Sequence, residues 1–204
     1  MPINIWGTNI KEVYIGGQKA IMTFIWDKKV YSSYHLHWEF DDYSDITSIS
    51  SRDKGRNKIA VQNGKLQVKS DGGYVEGIMS YTFKRGDIIS LKCQLNTTDE
   101  QSYSDIVLYN SYNNKIVALE SNGYRYPMVR CGTNTMAFPQ IPLSTPLILT
   151  IKINDNSYEV ILKKEDGQEI MRDSSNKYMQ WDFSLNFSNS NSNTMLIDYI
   201  RLNR

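Results

Sequence analysis

The chain has 204 residues, of which 40% are apolar and 12% aromatic, with 14 tyrosines. Its 23 basic and 22 acidic residues leave a formal charge of +1, which argues against duplex DNA or an anionic membrane surface as a partner. The length suits one β-domain with an appendage, or two small domains, with a core that needs no disulfide staples.

The first residues, MPINIWGTNIKEV, hold no basic region followed by an apolar run, and no stretch is long enough to cross a bilayer. No secretory signal is therefore expected. Residues 10–31 repeat at an offset of about eleven: Ile10 falls on Ile21, Val13 on Phe24, Tyr14 on Ile25 and Ile15 on Trp26. Each copy reads as strand, turn, strand, with Gly16-Gly17 turning the first and Asp27-Lys28 the second. Two such units cannot bury a core of their own. Val13, Ile15, Phe24, Ile25 and Trp26 are therefore read as an attachment set covered by other chains, in a homo-oligomer or a particle. Packing against the sandwich of the same chain is the alternative. The boundary between this segment (1–33) and the main domain (34–204) falls near Ser33.

Ser32–Phe40 reads as a strand, followed by a polar, aperiodic run from Asp41 to Asn57. Short β segments then follow one another. Lys58–Val61 and Lys65–Ser70 flank Asn63-Gly64, a strong hairpin turn. Gly77–Lys84 and Asp87–Leu95 flank Arg85-Gly86, and Asp105–Asn110 and Lys115–Glu120 flank Asn113-Asn114. Tyr124–Cys131 is a strand or a loop rim, and Asn134–Thr145 is a crossing loop. In Pro146–Asn154, Leu147, Leu149, Ile151 and Ile153 share one face and should line the core. Ser157–Lys163, Gln168–Arg172, Gln180–Phe187 and Met195–Leu202 complete the series, with Ser188–Asn193 as a polar loop. No segment carries a helical period. The pattern predicts an all-β protein, a two-sheet antiparallel sandwich of jelly-roll type. Cys93 and Cys131 read as two buried thiols, with a bridge as the alternative.

Catalytic patterns are missing. No strand carries Glu-x-Asp-x-x-Glu, and no Gly-x-Ser-x-Gly surrounds a serine. His35 and His37 are the two histidines, placed as a solvent-facing or interface pair with Leu36 and Trp38 inward rather than as metal ligands. An enzyme is not expected. Tyr124, Tyr126 and Trp181, with Tyr103, Tyr112 and Tyr178, are candidate platforms for sugar rings, although most aromatics in a sandwich belong to its core.

Three pieces resemble concanavalin A-like and carbohydrate-binding-module jelly rolls. They are Phe40-Asp41-Asp42-Tyr43-Ser44-Asp45, the stretch Asn63–Val68 with Gly77–Ser80, and Leu196–Leu202. The resemblance implies the sandwich fold and, through it, a glycan ligand. Asp41, Asp42 and Asp45 form an acidic cluster, and Asp198 stands among Leu196, Ile200 and Leu202. Calcium is the hard cation such oxygens would suit, and related sugar-binding sandwiches hold a structural calcium between these regions. A solvated acidic loop, with Asp198 bonded to backbone amides, is the alternative. The pattern IKxVYxGG from Ile10, followed by a strand ending Val30-Tyr31, is similar to segments in virion proteins of tailed phages of gut Bacteroidetes. That likeness implies a non-enzymatic structural component of a virion, partnered by other virion proteins or itself. A carbohydrate-binding module of a surface protein and a glycoside hydrolase are the alternatives.

Overall fold

The computed structural model describes residues 13–15, 18–20, 36–40, 49–53, 58–96, 102–121, 126–191 and 193–204. The strands in chain order begin with β1 (Val13–Ile15), β2 (Gln18–Ala20), β3 (Leu36–Trp38), β4 (Ile49–Asp53), β5 (Lys58–Gln62) and β6 (Lys65–Lys69). Next come β7 (Tyr74–Met79), β8 (Phe83–Lys84), β9 (Ile88–Asn96), β10 (Ser104–Asn110), β11 (Lys115–Glu120) and β12 (Met128–Cys131). The last are β13 (Asn134–Ala137), β14 (Leu147–Ile153), β15 (Tyr158–Lys164), β16 (Glu169–Ser175), β17 (Asp182–Ser190) and β18 (Thr194–Asn203). No helix occurs among the described residues.

Two antiparallel sheets form a sandwich. The front sheet runs β13-β12-β11-β10-β17-β7-β4, with β8 also on β17. The back sheet runs β16-β15-β14-β9-β18-β6-β5, with β3 also on β18. β1 and β2 pair antiparallel, with Ile15 opposite Gln18. Alternation decides which side chains go inward. Leu147, Leu149, Ile151 and Ile153 are each at most 2% exposed, as their spacing predicts. Opposite them in register, Ile89, Leu91 and Cys93 of β9 are also buried. Each such aliphatic side chain contributes about 1.5–3 kcal/mol on leaving water. Asn63 and Gly64 take positive φ of 53° and 69° and close the β5–β6 hairpin, as their sequence demands. Cys93 and Cys131 are free, buried thiols.

Five expectations are corrected. Gly77–Lys84 is not one strand, because β7 ends at Met79 and β8 begins at Phe83. Asn134–Ala137, read as part of a crossing loop, is edge strand β13, and Ile49–Asp53 inside the polar run is edge strand β4. Both lie at sheet margins, where few apolar side chains are needed. Ser188–Ser190 are not loop but the end of β17, and Asn189 is fully buried. The Asn189 side chain accepts from Ser104 Oγ and donates to the Val68 carbonyl of the back sheet, so its polar atoms are matched. Lastly, Asp198 does not share a face with Ile200 and Leu202. A bulge between Ile197 and Tyr199 inserts one residue against β9 and reverses the alternation. Ile197, Ile200 and Leu202 point inward, while Asp198 and Tyr199 remain outside.

Candidate functional site

The outer face of the front sheet gathers polar side chains by strand parity alone. On β7, Val75 and Met79 are buried in the core, so Tyr74, Glu76 and Ile78 face out. On β17, Phe183, Leu185 and Phe187 fill the core, so Ser184, Asn186 and Ser188 face out. Pairing aligns Glu76, Ser188, Asp105 and Glu120 in one row across four neighbouring strands. The next row reads Ile78, Asn186, Val107, Ala118 and Arg130. Adjacent strands lie about 4.8 Å apart, so each row is a closely spaced set.

The carboxylates in the first row are packed, not free. Ser188 Oγ donates to Asp105 Oδ1, and Lys115 Nζ lies 3.5 Å from Asp105 Oδ2 and 3.1 Å from Glu120 Oε2. Arg130 Nη2 lies 3.7 Å from Glu120 Oε1. Asp105 and Glu120 are 8% and 4% exposed. Burial pushes the Asp105 carboxyl above the usual carboxylate range, against the opposing pull of Ser188 and Lys115. Burial would depress Lys115, but Asp105 and Glu120 outweigh it and hold the ammonium above its ordinary value. Tyr74, Tyr103 and Tyr109 are all pushed up, chiefly by burial. Their phenols are therefore protonated near neutral pH and available as hydrogen-bonding groups.

Beside this row lies a depression of about 310 Å³ lined by Glu76, Ile78, Tyr109, Asn113, Ser184 and Asn186. Asn186 Nδ2 donates to Glu76 Oε1 at 3.0 Å. A carboxylate at that distance accepts, so the amide orientation is fixed with Oδ1 on the other side. Asn186 is 9% exposed, and its Oδ1 is a buried acceptor without a donor. In the same row, Arg130 Nε is a buried donor without an acceptor. An unpaired buried polar atom costs about 1–3 kcal/mol.

The residues nominated from the sequence scatter. Phe24, Ile25, Trp26, Asp41, Asp42, Asp45, Tyr124 and His35 lie outside the described residues. Val13 and Ile15 begin and end β1. Leu36 is 36% exposed and Trp38 8%, so of the two residues expected inward, Trp38 alone is buried. The Asp198 carboxylate is met by Lys65 Nζ and Lys92 Nζ, which lie 2.7 and 2.8 Å from its two oxygens. Among the described residues no three His, Cys, Asp or Glu side chains group as a metal site. Tyr126 is half-buried before β12, whose Met128 pairs with Glu120. Trp181 precedes β17 and is 69% exposed. Seven residues of strand, about 23 Å, separate it from Ser188, so Tyr126 and Trp181 do not form one platform. The front-face set was missed, although the alternation Phe183-Ser184-Leu185-Asn186-Phe187-Ser188 carries its signal.

The sandwich is similar to several solved structures. One is a protein from work on endo-acting O-glycanases with which human gut microbiota members initiate mucin breakdown, 13% identical over 83% of this chain and 98% of that one, with a TM-score of 0.63. The laminarinase catalytic domain of Thermotoga maritima matches over 83% of this chain and 96% of its own, at 13% identity and a TM-score of 0.61. Lectin I-B4 of Griffonia simplicifolia matches over 82% and 98%, at 13% identity and a TM-score of 0.56. The fold is a concanavalin-like jelly roll. Identities this low carry the fold alone. Neither a family model nor a curated protein matches the sequence.

Proposed function

We propose that the protein is a non-catalytic carbohydrate-binding jelly roll whose ligand lies on the outer face of the front sheet. The observation that carries this reading is the depression that gathers Glu76, Tyr109, Asn113, Ser184 and Asn186 on one sheet face. Sugar hydroxyls donate and accept in close alternation, and would meet the Tyr109 phenol and the polar side chains that wall the depression. The lectin and glucanase neighbours are consistent with such a ligand and supply no residue roles.

Binding without cleavage is favoured by the state of the carboxylates. Glycoside hydrolysis takes one carboxyl as acid and another as free base or nucleophile. Here Asp105 and Glu120 are tied to Ser188, Lys115 and Arg130, and one oxygen of Glu76 is held by Asn186. Calcium is not required by this reading, since Asp198 is neutralised by two lysines. The N-terminal pair of β1 and β2 supports a display role, with residues 1–33 anchoring the domain to other virion proteins or to a second copy.

The test is a glycan array probed with the parent protein and Asn186→Leu, alongside reducing-sugar release from mucin and from β-glucan. Array binding that drops about tenfold or more in the variant, a loss of about 1.4 kcal/mol, with no sugar release, is expected. Sugar release by the parent, or equal binding by both proteins, overturns the reading. Electron microscopy of intact particles tests the display role, which fails if the protein is absent from them.

A further inference from the structure

Trp181, Tyr178 and Tyr112 are three of the four large apolar side chains exposed among the described residues, at 69%, 48% and 72%. They lie on two loops at one end of the sandwich, 176–181 between β16 and β17 and 111–114 between β10 and β11. Solvated loops of this kind seldom need tertiary hydrogen bonds, yet these are fastened from several directions. Tyr158 of β15 donates its hydroxyl to the Lys177 carbonyl at 3.1 Å. Asn110 Nδ2 donates to the Tyr178 carbonyl at 2.8 Å, and Arg85 Nε donates to the Gln180 carbonyl at 3.2 Å. The same Asn110, 2% exposed, accepts through Oδ1 from the backbone N–H groups of Tyr112 and Asn114 at 3.0 and 2.9 Å. One buried amide therefore fixes both aromatic loops. Tyr178 takes φ +61°, a left-handed conformation that a bulky residue adopts at a cost.

Arg85 gives the patch its chemistry. Its guanidinium carbon lies 3.8 Å from the centre of the Trp181 ring, on one face of the indole. Arg85 forms no salt bridge with a described carboxylate. With Nε spent on Gln180, the two terminal amino groups present a planar fork beside an exposed ring. A fork of this kind suits a carboxylate, which it can hold by two parallel hydrogen bonds. Around the patch, Lys84 ends β8, Arg85 lies in the turn before β9 and Lys177 in the 176–181 loop, against Asp182 at the start of β17 and Asp87, which is paired with Arg204 at 2.7 Å, leaving a local excess of positive charge.

We infer that this end of the sandwich is a second glycan site, selective for carboxylate-bearing pyranoses, in which Trp181 stacks the ring and Arg85 holds the acid. It stands apart from the sheet face. Its loops are already fixed, so little ordering opposes binding.

The experiment titrates the full chain with linear oligogalacturonate and with its methyl ester, by calorimetry and by the change in tryptophan fluorescence. The ester keeps the ring and removes the charge. The parent should bind the free acid about tenfold or more tightly than the ester. Arg85→Gln should erase that preference, and Trp181→Ala should abolish binding of both probes. Both variants change side chains at the surface, and unchanged melting confirms that they fold. No binding of the acid by the parent, equal affinity for acid and ester, or retention of the preference in Arg85→Gln each overturns the inference.

Discussion

Asp198 and Asp105 sit on long strands, and their surroundings push them in opposite directions. Burial alone would raise Asp198, but Lys65 and Lys92 hold its carboxyl below the usual range. A folded pKa below the unfolded one gives stability that is present above the unfolded value and lost as pH falls through the folded one. Asp198→Asn should therefore lower stability at pH 7, by about 1 kcal/mol for a partly exposed cluster. The gap to the parent should close as the solution is acidified. Asp105 behaves in the opposite sense, because burial raises it. Its stabilising contribution is complete below the ordinary carboxylate pKa and lost as pH rises through the folded value. Asp105→Asn should thus gain on the parent as pH climbs from about 4 to 7, where thermal melts check it, whereas melts below about pH 4 check Asp198→Asn. A change in the same direction for the two would refute the assignment. A charge on Asp198 was legible as something that needed a partner. Its lysines were not, because the bulge that turns it outward leaves no mark in the text around Leu196 and Ile200.

The strands most plainly written are those whose two faces differ in polarity. β14 and β9 alternate without interruption, and the core follows from them. β17 shows the limit. Its first half alternates apolar with polar and is readable, but its end is Ser188-Asn189-Ser190, which looks like solvent-facing text. It forms strand because Ser104, Asn189 and the Val68 carbonyl satisfy one another inside the sandwich, and such partners come from distant chain segments. Asn189→Leu removes one side of that network and leaves the Val68 carbonyl and Ser104 hydroxyl short of partners. A loss of about 2 kcal/mol is expected, read from the urea midpoint at unchanged slope. The turn between β12 and β13 is held more rigidly. Gly132 has φ +61°, and a Cβ there would meet Ser175 Oγ and lie 2.9 Å from Tyr158 Oη. Gly132→Ala should cost about 1–3 kcal/mol, and a parental melting curve would show that the turn relaxes freely.

At the scale of the molecule, the sandwich and its inward residues follow from period-two patterning repeated along the chain. The proposed binding face does not. Its rows join Glu76, Ser188, Asp105 and Glu120 from four strands far apart in sequence, and register between distant strands is not encoded in any one of them. The two halves of the chain should also separate. Trp38 and Phe40 are buried, and Arg201 grips Glu39 through two hydrogen bonds of 2.8 and 3.1 Å, which ties residues 36–40 to β18. A chain beginning at Tyr34 keeps all of these contacts, so it should melt within a few degrees of the full protein but fail to join an oligomer or particle. Unfolding of that shortened chain would mean that residues 1–33 complete the core. The sheet face itself is tested most directly by NMR chemical-shift mapping with the strongest glycan ligand found on the array. Shifts centred on Glu76, Tyr109, Asn113 and Asn186 are expected. Shifts confined to the back sheet, around Lys65, Lys92 and Asp198, would contradict the assignment.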